Sequence, residues 1–417
     1  MPTRQRAKDP VTVLLVGNYR PTLAVARALH GAGHRVVLSP NSFRSAGHSR
    51  FISEVWQPLE EKANPASALE SLEQFSSFYA EESVIFPVNQ DAIVRLLPHL
   101  DTLNAKVAMT DPDVVRLCVD KGRMDQLATE LALPIAPNAV VASEEELIAE
   151  AERVGYPCIL RWNDGLEHIP KAFIFQDRQE LEFNFPYWPY KVETFLLQRY
   201  VTGTRFNRNF IAENGKVLQY VDIKTLRTNK ADGTGSGTAG LSAAPLREMD
   251  EPTERLIAHM NYTGVGIIQF LVDEASGEMS FLELNPRVGA NYAFAHYCGL
   301  DQANALVNLA RGLPLTEGEA GFSYPIDRHY VWFHGDLDGV MNGLRSRRLG
   351  LSPAFKWLTD ATLSALRADM HLVWSRDDPL PTLLPLPGRV IRLGWRFCLA
   401  VARRVLRKAR SLVRRLA

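Results

Sequence analysis

The stretch from Gly264 to Asn291, GVGIIQFLVDEASGEMSFLELNPRVGAN, concentrates the side chains best placed to do chemistry. Two apolar runs separated by Ala275-Ser276-Gly277 predict an antiparallel hairpin, with Gln269 and Glu283 on facing strands. Side chains alternate along a strand, so Asn285 and Arg287 share a face with Glu283. Oxygen ligands converging in this way suit magnesium, which takes one or two protein carboxylates and fills its octahedron with phosphate oxygens and water. A guanidinium beside such a cation suits a phosphate. The same residues also describe a plain hairpin with a solvated glutamate and a turn-forming Asn-Pro, and spacing alone favours that plainer reading.

Other segments are ambiguous in the same sense. Asp120-Lys121 opens a helix that precedes Leu133-Pro134-Ile135-Ala136-Pro137; Glu144 to Val154 reads as a second helix, and the strand-like run Cys158 to Trp162 that follows Gly155 carries Arg161. Leu196-Leu197-Gln198-Arg199-Tyr200-Val201-Thr202-Gly203 is a further strand with a glycine stop. Taken singly, each basic residue reads as a solvated side chain. Gly235-Ser236-Gly237-Thr238-Ala239-Gly240 satisfies GxGxxG, but it follows the polar run Thr228 to Asp232 and no helix clearly opens after it, so a dinucleotide-binding turn fails on context. The stretch is either a loop whose N–H groups cradle phosphates or a simple surface loop. Lys224 and Arg227 stand just before it, and no GxxxxGK[ST] motif occurs.

Together these segments resemble the ATP-grasp superfamily, and the hairpin is most similar to the carbamoyl phosphate synthetase large subunit, which has Gln, Glu and Asn at these three places. The resemblance covers about Val11 to Gly312. It implies that Glu283 bridges magnesium, that Asn285 and Gln269 complete the set, and that Arg287 holds the transferring phosphate. It further implies Lys121 and Arg161 on the nucleotide phosphates, the hinge residues Gln198, Tyr200 and Val201 at the adenine, and Lys224 beside Arg287 in catalysis. Four positions depart from the commoner pattern. Gln269 stands where many members have an acid, which leaves one metal or two open; Gln198 replaces a Glu; Arg205 replaces an acidic residue; and Arg161 replaces a Lys while keeping the charge and adding a fork.

The implied cofactors are ATP and Mg2+, with Mn2+ as a substitute. The implied reaction activates a carboxylate as an acyl phosphate, couples it to an amine and forms ADP. Positioning and charge stabilisation suffice for that chemistry, so no nucleophilic side chain is required. Bicarbonate activation is the second reading, suggested by the Gln-Glu-Asn set; a single ATP-grasp copy, no glutaminase-like cysteine motif and no Met-Lys-Met argue against it. A third reading, a nucleotide-binding membrane-surface protein without catalysis, is favoured by Gln198 and Gln269.

The elements that must position these groups fall into an α/β part followed by an α+β part. At 417 residues, two or three packed units are expected. Val11 to Val16, the helical pattern Leu23 to Leu29 and a strand from Val36 predict a βαβ unit with a parallel sheet. Residues 1–104 then form a pre-ATP-grasp parallel-sheet domain, 105–312 the ATP-grasp domain with a lid at about 135–197, and 313–387 a C-terminal extension whose Pro379 to Pro387 reads as an extended linker. Near it, Asp377-Asp378-Pro379-Leu380-Pro381 resembles a turn found in uncharacterised ligase-type members.

Residues 388–417 predict a basic amphipathic helix. They hold ten of the 47 basic residues and none of the 47 acidic ones, so the rest of the chain carries 37 against 47. Arg389, Arg392, Arg396, Arg403, Arg407, Arg410 and Arg414 form one stripe, with Ile391, Trp395 and Leu399 away from it. An anionic membrane surface is therefore the expected partner of the tail, besides the carboxylate and amine substrates, and nucleic acid is not expected. Cys118, Cys158, Cys298 and Cys398 are scattered, which suits free thiols in a reducing compartment. MPTRQRAKDP leads into a strand without an apolar h-region, so a cytoplasmic protein, peripheral at the inner face of the membrane, is expected.

Overall fold

The computed structural model describes residues 9–17, 20–39, 46–56, 65–79, 83–163, 172–184, 194–273, 276–316 and 322–399. Near the N-terminus, β1 (Thr12–Val16), β2 (Arg35–Leu38), β3 (Glu54–Val55) and β4 (Ser83–Pro87) form an all-parallel sheet of order β3-β2-β1-β4. Both of its faces are covered, which is why β1 reads as an unbroken apolar run. Val13 and Leu15 join the core shared with the Arg20–Ala32 helix, whereas Leu14 packs with Phe75 and Ile85 on the other side.

A second sheet, in the stretch expected to be the lid, is β5 (Asn138–Val141), β6 (Cys158–Trp162), β7 (Ala172–Phe175) and β8 (Phe195–Arg199), antiparallel in the order β5-β8-β6-β7. Its helix, Glu144–Val154, starts where Ser143 accepts from Glu146 N and ends at Gly155. Leu147, Ala151 and Val154, one stripe of that helix, bury against Leu160, Phe195 and Leu197 of the sheet.

The central sheet contains β9 (Thr204–Glu213), β10 (Lys216–Thr228), β11 (Gly237–Ser242), β12 (Gly264–Val272), β13 (Met279–Asn285), β14 (His329–Val331) and β15 (Met370–His371), in the order β13-β12-β9-β10-β11-β14-β15. All neighbours are antiparallel except β14 and β15. Asn214 and Gly215, with φ of 50° and 74°, make the turn between β9 and β10, a backbone that suits the right-handed twist of a tight hairpin. The helices Tyr292–Tyr297 and Gln302–Ala310 fuse this sheet to the first domain: Phe294, Ala295 and Leu306 share one core with Val25 and Leu29.

Beyond residue 312 the structure departs from expectation. β14 and β15 extend the central sheet, and the helices Phe333–Arg345 and Leu351–Arg367 pack with Leu386 and Leu393 in a core of their own. Pro379 to Pro387 is not an extended linker: Leu380–Leu383 is a helical turn, and residues 386–399 are helical. Proline is at home in the first turn of a helix, where its missing N–H has no partner to lose, so a proline-rich run does not by itself exclude helix. Asp378, in the preceding turn, is buried and accepts from Arg27 Nε (3.1 Å) and Nη2 (2.9 Å), Ser49 Oγ (2.6 Å) and Arg50 N (3.1 Å). That carboxylate ties the C-terminal segment to the first domain.

Candidate active site

Lys121, Arg161, Gln198, Tyr200, Val201, Gln269, Glu283, Asn285 and Arg287 line one cavity of about 1020 Å³ between the lid and the central sheet. Gln269 and Glu283 are directly opposed across β12 and β13, beside a register shift at Phe270. Glu283 Oε2 accepts from Arg161 Nη2 at 2.9 Å, and Oε1 accepts from Asn285 Nδ2 at 2.9 Å. Asn285 Oδ1 in turn accepts from Arg287 Nη2 at 3.3 Å. Burial alone would raise the Glu283 carboxyl, but Arg161, Lys121, the Asn285 amide and Arg287 outweigh it and hold the group at about 2. Glu283 is thus an anion at neutral pH.

Arg161 reaches the hairpin from the lid. Its Nη1 donates to Gln198 Oε1 (3.1 Å) and Leu282 O (3.3 Å), so one guanidinium joins β6, β8 and β13. Gln198 Nε2 donates to Asp125 Oδ2 at 2.5 Å. Asp125 lies one turn beyond Lys121 on the Lys121–Glu130 helix, and burial is the main influence that pushes its carboxyl up to about 6, against the pull of Arg161 and Gln198. Lys121 Nζ donates to Trp162 O at 3.1 Å.

Two of the expected site residues have side chains engaged by other residues of the chain. The Gln198 side chain is buried and bonded to both Arg161 and Asp125. Lys224 is outside the cavity lining, which includes Thr225, Leu226 and Arg227; its ammonium lies 5.8 Å from the Phe206 ring centroid. The register shifts after Thr225, and adjacent strand residues face opposite ways, so the basic residue that reaches the cavity from this strand is Arg227.

The glycine-rich stretch is a closed turn leading into β11. Asn229 N donates to Ser236 O (3.0 Å), and Ser236 N donates to Asn229 Oδ1 (2.9 Å). Arg205 Nη2 holds Gly235 O at 2.8 Å, and the Tyr200 hydroxyl donates to Asp232 O at 3.0 Å. The hinge therefore touches the loop across the cavity.

Several residues that line the cavity or brace its lining escaped the sequence reading. Arg20 and Gln90 enter from the carboxyl ends of β1 and β4, where open parallel sheets bind ligands. Arg20 Nε donates to Ala290 O at 2.7 Å, and its guanidinium lies 3.9 Å from the Trp332 ring centroid. Asp125 had a sequence signal, its spacing of four from Lys121 on a helix. Asp336 and Trp357 had none.

One carboxylate and two amides make an oxygen set suited to a hard divalent cation that shares phosphate oxygens. Among the described residues no group of three or more His, Cys, Asp or Glu forms a self-sufficient metal cage. Arg287 Nε is buried without a hydrogen-bond partner among the described residues, a cost that an anion in the cavity would relieve. The side chains present fit a metal-bound polyphosphate.

The carbamoyl-phosphate synthase L chain ATP-binding domain family matches residues 236–318, which include the entire Glu283 hairpin. The chain is 23% identical over 254 residues to the carbamoyl phosphate synthase large chain of Halomonas eurihalina, a match that takes 57% of this chain and spans 22% of that one. Among solved structures, it is similar to the biotin carboxylase domain of Hydrogenobacter thermophilus 2-oxoglutarate carboxylase in complex with MgADP, ADP and bicarbonate. That likeness has a TM-score of 0.61 at 15% identity, over 78% of this chain and 74% of that one. N5-carboxyaminoimidazole synthetase from Staphylococcus aureus, complexed with ADP, gives a TM-score of 0.57 at 14% identity, over 78% and 82%.

The chain has the ATP-grasp fold. In that fold the sheet of β5 to β8 stands where the lid is expected, the central sheet where the core is expected, and the passage from β8 through Tyr200 and Val201 to β9 where the hinge is expected. The family match ends at residue 318, so β14, β15 and the helices after them lie beyond it.

Proposed function

We propose that this ATP-grasp protein is an ADP-forming ligase that activates a carboxylate as an acyl phosphate and couples it to an amine. The Glu283 hairpin carries the reading: an ionised carboxylate, two amides and a partly unsatisfied guanidinium face one cavity. Mg2+, or Mn2+ in its place, would be held by Glu283, Asn285 and Gln269 and would neutralise phosphate oxygens during transfer. Arg287 donates to the transferring phosphoryl, and Lys121 and Arg161 bind the phosphates nearer the lid. Gln198 fixes the direction of Arg161. The Tyr200 amide is spent on Pro157 O at 2.9 Å, so the adenine edge falls to the backbone at Val201. The carboxylate enters on the side of the first domain, where Arg20 and Gln90 line the cavity.

ADP release by the full chain across a panel of carboxylates and amines, bicarbonate included, tests this reading. Magnesium-dependent release with one carboxylate–amine pair is expected. Release with bicarbonate and no other acid would favour the carboxylase reading, and no release with any pair the non-catalytic one.

A second observation bears on where the protein works. The 386–399 helix packs Leu386, Leu393 and Phe397 inward but leaves Val390, Ile391 and Trp395 at 53%, 72% and 65% exposure. No helix among the described residues is long and apolar enough to cross a membrane. We infer that this face, with the arginines of 388–417, rests on the anionic inner surface of the cytoplasmic membrane.

A further inference from the structure

Two helices beyond the family match close on the base of the glycine-rich loop. Asp336, fully buried on the Phe333–Arg345 helix, accepts from Arg227 Nε at 2.8 Å, Arg227 Nη2 at 2.9 Å and Trp357 Nε1 at 2.8 Å. Trp357 comes from the Leu351–Arg367 helix, and both it and Arg227 line the cavity. A bidentate arginine–carboxylate pair fixes the plane of the guanidinium as well as its position. One turn along the same helix, Gly339 lies against the loop itself: a Cβ there would stand 2.7 Å from Asn229 O and 3.0 Å from the Trp357 ring. Asn229 is the residue that closes the loop onto Ser236. The loop's base is thus seated on a helix pair that follows the family match.

We propose that Asp336 is a positioning residue for residues 229–236: by holding Arg227 and Trp357, and with Gly339 seating Asn229, it sets the loop in the posture that receives a nucleotide polyphosphate. The inference rests on the reading of the cavity as an ATP site. Nucleotides that extend to the loop through a β-phosphate then depend on Asp336 and Gly339. Adenosine, which reaches only the hinge, does not.

The test titrates MgADP and adenosine separately into the full chain and three variants by calorimetry. Asp336→Asn removes the charge that orients Arg227; Gly339→Ala leaves charge alone and crowds Asn229. Asp338→Asn, on the same helix but turned to Arg389, is the control. The MgADP Kd should rise about tenfold in the first two variants, while adenosine stays within about twofold and the control matches the wild type on both. If Asp336→Asn does not fold, Gly339→Ala decides alone. Equal losses for MgADP and adenosine, or unchanged MgADP affinity, would overturn the positioning role. A wild-type chain that binds no MgADP overturns the reading of the cavity as a nucleotide site, and this inference with it.

Discussion

Glu283 takes its character from opposing influences: burial raises its carboxyl, and the cations and the amide around it lower it further than burial raises it. Its folded value of about 2 lies below the ordinary 4.5, so its contribution to stability is present above about pH 4.5 and lost as pH falls through about 2. Glu283→Gln keeps the shape but removes the charge that would face a divalent cation. Its ATP turnover with a verified substrate pair should fall by about 100-fold or more. Turnover near that of the wild type would remove Glu283 from the metal site. The hairpin was legible from sequence because an acid, an amide and an arginine at spacings of two must share a strand face. Lys224 was misplaced for the converse reason: the register shift after Thr225 changes the phase of alternation, and nothing in the residue types announces it.

At the scale of elements, apolar β-branched runs marked β1, β6 and β12, and Asp120 marked a helix start. Asp120 accepts from Arg123 N (3.0 Å) at one helix start and Ser143 from Glu146 N (3.1 Å) at another. The first half of β9 went unread because it is polar, Thr-Arg-Phe-Asn-Arg, and its polarity is satisfied internally. Arg208, fully enclosed, pairs with Asp222 at 2.8 Å and Asp250 at 2.7 Å. The tail was partly legible. Its helix exists as far as 399, the last described residue, but Arg389 is turned inward to Asp338 at 3.2 Å rather than standing with the solvent-facing stripe. With Ile391 and Trp395 outward and about 1 kcal/mol from each basic residue near an anionic surface, the helix should still hold the protein to lipid. Flotation with anionic liposomes at physiological salt checks this. The full chain should float and a chain ending at Pro387 should not; equal partitioning would refute the membrane role.

For the molecule as a whole, the sequence marked an N-terminal parallel sheet followed by an ATP-grasp fold, and both are present. What it did not show is how the chain after residue 312 returns to them. β14 and β15 complete the central sheet, Asp378 reaches Arg27 and Ser49 of the first domain, and Asp336 reaches Arg227 beneath the loop. Asp378 and Asp336 reach across more than a hundred residues and β14 pairs with β11 across about ninety, separations that local periodicity cannot register, and each depends on one buried carboxylate or a three-residue strand. The cavity they enclose is built from the first domain, the lid, the core and the extension together. The central claim is that this composite cavity transfers the γ-phosphate of ATP to a carboxylate. Hydroxylamine in place of the amine tests it most directly, because it intercepts an acyl phosphate as a hydroxamate. With the cognate carboxylate, ATP and magnesium, the full chain should form that hydroxamate and release ADP and phosphate in equal amounts; release of AMP and pyrophosphate would contradict the account.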